Sequence, residues 1–285
     1  MYCVRCQVLR QAWPKYKVYV LYPAREGQGD RSAWEVCRVE IKKVERLTRE
    51  GEMNERVVGI LGGMGPEATV ELFRRILACT PARRDQDHLR ILIDNNPKIP
   101  DRTAAILGKG PDPLPALLHS AHTLQQAGAD FLVIPCNTAH HWLPELRRTL
   151  SIPILDMVAE TAEEVARHRP PLGTIGLLAT SGTIKADLYQ QALSKKGIAS
   201  LVPTPKEQDL VMEAIYRVKA GDHTVKEQVL HVAQNLLDRG AEGLILGCTE
   251  LPLVVQEGDL SCPLFDPLSI LARRAVEWAK GTTSK

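Results

Sequence analysis

The sequence predicts an α/β protein: two pseudo-symmetric doubly wound domains with mainly parallel sheets and an active site in the cleft between them. Three observations carry this. From residue 57 onward, short apolar runs alternate with amphipathic helical stretches, the pattern of strands joined by crossover helices. The same order then occurs twice: Gly59-Ile-Leu is matched by Gly176-Leu-Leu, Gly128-Ala-Asp by Gly240-Ala-Glu, and Ser151-Ile-Pro-Ile-Leu-Asp156 by Ser261-Cys-Pro-Leu-Phe-Asp266. Each half also places a cysteine, Cys136 or Cys248, where an apolar run ends and polar residues begin.

In the first half, residues 57–61 form an apolar run followed by Gly62-Gly-Met-Gly-Pro66. Glycine permits a tight strand-to-helix turn, and proline suits the first helical position. The next strand is expected at 89–93, and a helical stretch follows Ile99-Pro-Asp-Arg102. Residues 114–127 have helical spacing and stop at Gly128, a C-cap residue. A buried strand from Phe131 is expected to run into Cys136, followed by a helix through Trp142 and Leu146 and a short strand at 152–155. The second half gives a strand at 174–178, a turn at 179–183, and a helix through Leu188 and Leu193. A strand at 198–202 and helices at 206–218 and 225–237 come next. The Cys248 strand and a last helix at 267–280 complete it. The expected domains are 56–155 together with 267–285, and 156–266. Right-handed crossovers gather the carboxyl ends of parallel strands at one edge, where such sheets bind ligands. Two halves facing across that edge bring both cysteine loops into one cleft.

Residues 1–55 read differently. They are rich in Arg, Lys and Glu and lack the alternation. Residues 16–22 suit one strand and residues 34–49 a charged helix, neither with an evident partner. Cys3, Cys6 and Cys37 fall short of the four ligands of a closed zinc site. Met53 directly precedes the first well-formed strand, and translation is expected to start there. The seven cysteines of the 285-residue chain, an odd number with no apolar signal segment, fit free thiols in a reducing, cytoplasmic setting. Thirty-six basic residues against 34 acidic leave a net charge of +2 without charge blocks, so neither nucleic acid nor membrane is the expected partner.

A cysteine at the carboxyl end of a strand, just before a helix, sits where backbone N–H groups stabilise a thiolate or a bound carboxylate. One thiolate facing one thiol is the arrangement needed to invert a carbon centre: the first removes a proton from one face and the second supplies one to the other. A repeated protein suits mirror-image substrate and product.

Residues 57–280 resemble the cofactor-independent aspartate/glutamate racemase family. The resemblance rests on Gly62-Gly-Met-Gly-Pro-Glu-Ala-Thr69, Asn96-Pro-Lys-Ile-Pro-Asp-Arg102, Pro135-Cys-Asn-Thr-Ala-His140 and Gly247-Cys-Thr-Glu-Leu-Pro252. Glutamate racemases share the Pro-Cys-Asn-Thr-Ala motif but typically open with an Asp-Ser-Gly type loop, so Gly62-Gly-Met-Gly favours the aspartate racemase branch. The resemblance implies that Cys136 and Cys248 are the acid/base pair, and that Asn137, Thr138 and Thr249 hold the α-carboxylate. Arg102 then binds the side-chain carboxylate, with Lys219 as a second basic residue. Met64 lines the cleft, and Glu250 positions the amino group or completes a buried network. It further implies a small acidic amino acid as substrate, neither pyridoxal phosphate nor a metal, and a homodimer. His140 and His141 are expected to support the loop or pack the helix, since adjacent histidines do not share a helix face. Ala186 stands where many relatives carry a serine. The alternatives are a related isomerase, maleate isomerase-like, and a catalytically silent amino-acid sensor.

Overall fold

The structure is a computed structural model that describes residues 18–23, 34–39 and 55–282. The chain separates into two compact units, Met1–Met53 and Asn54–Lys285. Among the described residues no helix is long and apolar enough to cross a membrane.

In the first unit, β1 (Val18–Pro23) pairs antiparallel with β2 (Trp34–Val39), Val18 opposite Val39 and Pro23 opposite Trp34. This corrects the expected helix from residue 34 and the expected lack of partners. Val and aromatic residues in both segments favour the pleated strand, and each segment supplies the other's ladder. Residues 40–49, the thiols of Cys3, Cys6 and Cys37, and the choice of initiator lie outside the described residues.

The second unit is α/β. Its first half contains β3 (Val58–Gly62), α1 (Pro66–Cys79), β4 (Ile91–Asn95), α2 (Arg102–Ile106), α3 (Leu114–Ala127), β5 (Phe131–Val133) and α4 (Leu143–Thr149). Helix α5 (Met157–Arg167) leads to the second half: β6 (Thr174–Ala179), α6 (Ser181–Lys185), α7 (Leu188–Ser194), β7 (Ala199–Leu201), α8 (Pro205–Lys219), α9 (Lys226–Asp238), β8 (Gly243–Gly247) and β9 (Leu264–Phe265). Helix α10 (Pro267–Lys280) ends the unit. Both sheets are parallel throughout, in the orders β4-β3-β5 and β7-β6-β8-β9.

Side-chain alternation along the strands builds a core on each face of each sheet. In the first sheet Val58, Ile60, Phe131 and Val133 meet α1 and α10, whereas Leu61, Leu132 and Ile134 meet α3 and α4. In the second, Ile175, Leu177 and Ile245 meet α5 and α7, whereas Leu244 and Leu246 meet α8 and α9. Helices α5 and α10 serve both halves: Met157 and Leu268 enter the first core, Val158 and Ile270 the second.

The segment leading to Cys136 is less regular than expected. β5 stops at Val133, and the strand expected at 152–155 is reduced to a parallel bridge between Leu132 and Ile154. Pro135 and Pro153 lack the N–H groups that would continue those ladders. Both sheets change winding direction beside their inner strands. The loops after β3, β5, β6 and β8 therefore open at topological switch points, where parallel sheets leave a crevice.

Candidate active site

The loop after β3 is fixed by backbone constraints. Gly63 adopts φ +92°, and a Cβ there would come within 2.3 Å of the Asn96 carbonyl carbon, so only glycine fits. Thr69 Oγ1 accepts from Gly63 N–H at 2.9 Å and donates to the Gly65 carbonyl at 3.0 Å. Met64 is thereby placed in the lining of a small cavity.

Arg102 begins α2, whose N-cap Asp101 accepts from Ala104 N–H at 2.7 Å. The guanidinium is buried and donates to three backbone carbonyls: Ile99 and Pro100 from Nη1 at 3.2 and 3.0 Å, and Met64 from Nη2 at 3.2 Å. Its Nε finds no partner among the described residues. The carbonyls orient the planar fork and leave Nε–H and one Nη2 hydrogen available to a ligand.

After β5 the chain turns through Cys136 and Asn137 into a short 3-10 helix, Thr138–Trp142. His140 supports this turn as expected. Its Nε2 accepts from Met157 N–H at 3.1 Å, so Nδ1 carries the proton and donates to the Cys136 carbonyl at 2.9 Å. Burial keeps the imidazole neutral by lowering its pKa below the ordinary histidine range. His141 is exposed and meets Trp142 edge-on at 4.8 Å. Thr138 shares a buried triangle of hydroxyls with Thr180 and Thr183, at 2.9, 2.9 and 3.0 Å, which joins the two halves.

From the second half come Cys248, Thr249 and Glu250, all buried. The Cys248 thiol donates to Glu250 Oε2 at 2.9 Å, and the Thr249 hydroxyl reaches the same oxygen at 3.2 Å. Burial raises the Cys248 pKa well above the usual thiol range, and the Glu250 carboxylate raises it further against the opposing pull of Lys219. Two residues after Cys136 stands Thr138, so the first thiol has no carboxylate in the matching place.

Lys219 is the last residue of α8, and its ammonium lies 5.7 Å from the Tyr216 ring centroid. As a residue it is exposed, yet dense surrounding protein disfavours its charge. Glu250, Cys248 and Cys136 outweigh that penalty and raise its pKa. All nine residues singled out from the sequence line the one cavity: both thiols, Arg102, Asn137, Thr138, Thr249, Lys219, Met64 and Glu250. Asp101, Thr103 and Thr180 complete the lining. The sequence reading missed these three, although Thr180 had a signal as the turn residue after β6, directly matching the loop after β3. Two thiols, one from each half, thus share a cavity with two cationic side chains and several hydrogen-bond donors.

Comparisons with known proteins agree with this architecture. The Asp/Glu/Hydantoin racemase family matches residues 61–275. A broad specificity amino-acid racemase of Bacillus subtilis, RacX, is 29% identical over 77% of this chain and 96% of its own. The aspartate racemase structure from Picrophilus torridus superposes with a TM-score of 0.71 at 32% identity, covering 79% of this chain and 94% of the other. A glutamate racemase of Persephonella marina is 34% identical over 48% of this chain and 52% of its own. The chain belongs to the Asp/Glu/Hydantoin racemase family.

Proposed function

We propose that this protein interconverts the L and D forms of an acidic amino acid, aspartate foremost, by proton transfer between Cys136 and Cys248 without a cofactor. The observation that carries this reading is that both thiols line one cavity with Arg102 and Lys219. In the proposed step a thiolate on one face takes the α-proton while the opposite thiol delivers its proton to the carbanion. One cysteine ends as thiol and the other as thiolate, which is the starting state for the reverse reaction. Cys248, hydrogen-bonded to Glu250, begins as the thiol that donates, and Cys136 begins as the base.

The cationic pair suits an anionic side chain, with Arg102 already aligned by its three carbonyls. Asn137, Thr138 and Thr249 supply hydrogen-bonding groups for the α-carboxylate, which favours charge accumulation at the neighbouring carbon. Two features favour aspartate: the Gly62-Gly-Met-Gly65 loop and the likeness to the Picrophilus torridus enzyme. The likeness to RacX favours a second reading, a racemase of broader range. Chiral analysis of single enantiomers incubated in D2O without pyridoxal phosphate separates them. Conversion of L-aspartate with deuterium at the α-carbon is expected; turnover of many side-chain types would establish the broader reading. Inactivity on every acidic amino acid would overturn the substrate assignment.

A further inference from the structure

Resting on the racemase reading, we infer that Tyr189 is a positioning residue: its hydroxyl fixes which end of the Asn137 amide faces the substrate. Tyr189 belongs to α7 and is fully buried in the core that α7 shares with α5 and β6. A buried phenol needs a hydrogen-bond partner, and this one reaches across the seam between the halves to donate to Asn137 Oδ1. Burial raises the phenol's pKa and keeps its proton in place. The Thr161 hydroxyl, also beside the phenol, directs its own hydrogen to the Met157 carbonyl at 2.7 Å.

An amide has an accepting end and a donating end. With Oδ1 taken by Tyr189, the Asn137 NH2 is left buried, without a partner among the described residues, in a side chain that lines the cavity. A donor in that position attracts a carboxylate. The reversed amide would offer an oxygen instead and repel it. Phenylalanine would fill nearly the same core volume, so packing alone does not account for the hydroxyl.

The test uses the full chain and succinate, a dicarboxylate that binds without reacting. Tyr189→Phe, Asn137→Ala and the double variant are compared with the parent by titration calorimetry, with thermal melting to check folding. In the parent background Tyr189→Phe is expected to weaken succinate binding on the order of ten-fold, as for loss of one hydrogen bond to a charged group. In the Asn137→Ala background the same change is expected to have no effect, because its route to the ligand is gone. Equal weakening in both backgrounds, unchanged binding in Tyr189→Phe, or no binding by the parent would overturn the inference. A second measurement needs no variant: the Asn137 side-chain NH2 resonances of the parent should shift when succinate is added, and their failure to move would also overturn it. L-aspartate racemisation is assayed in parallel. A parent that binds succinate with the expected coupling yet never racemises would sink the proposed function and leave this inference standing.

Discussion

At the scale of single residues, the site depends on groups whose protonation the fold controls. Replacing either thiol by a hydroxyl removes an acid/base group. Cys136→Ser and Cys248→Ser are each expected to lower kcat/KM for L-aspartate by about 10²–10⁴-fold, measured by chiral chromatography. Wild-type turnover in either variant would rule out the assigned pair. His140 gives a pH prediction. Its folded pKa lies below the unfolded value of about 6.5, so the unfolded chain binds the proton first as pH falls. The stability it contributes is therefore present above about pH 6.5 and lost below it, because an imidazolium cannot accept from Met157 N–H. Melting temperature should fall more steeply between pH 7 and 5 in the parent than in His140→Gln, by calorimetry. Both thiols, Arg102 and Asn137 were legible because they sit in local motifs. Tyr189 was not: in the sequence it has only the look of an apolar helix position, and its contact with Asn137 spans 52 residues.

Among elements, the two short helices α2 and α6 meet at Gly182. A Cβ there would lie 2.8 Å from Thr103 Oγ1 and 2.9 Å from Thr103 Cα. The second contact is backbone and cannot rotate away. Gly182→Ala is expected to force α2 and α6 apart, costing about 1–3 kcal/mol of stability as overpacking does. It should also raise KM for L-aspartate, since Arg102 adjoins the displaced Thr103. Melting curves and steady-state kinetics check both, and unchanged values would show that the contact relaxes freely. The periodicity of α3, α8 and α9 gave their extents within a residue or so, because apolar positions recur on one face. The strand leading to Cys136 was overestimated, since apolar composition does not reveal where proline ends a ladder. In β2 the run Glu35-Val-Cys-Arg-Val39 lacks strict alternation and was misread as part of a helix; its pairing with β1 is what makes it a strand.

For the second unit as a whole, repetition was the most legible signal: matched strand-and-turn segments imply matched sheets, and the two parallel sheets follow. Their departures from one another were harder to read, because a repeat conveys what is shared. The placement of Glu250 beside Cys248, where the first half has Thr138 at the matching position after Cys136, is one of those departures. Mirror-image amino acids have identical free energies, so detailed balance requires kcat/KM to be equal for the forward and return conversions. A lopsided pair of acids cannot alter that equality. It can only shift turnover number and half-saturation together, making one direction faster and looser and the other slower and tighter in the same proportion. Progress curves started from pure L- and pure D-aspartate should therefore give unequal kcat and unequal KM with a common quotient.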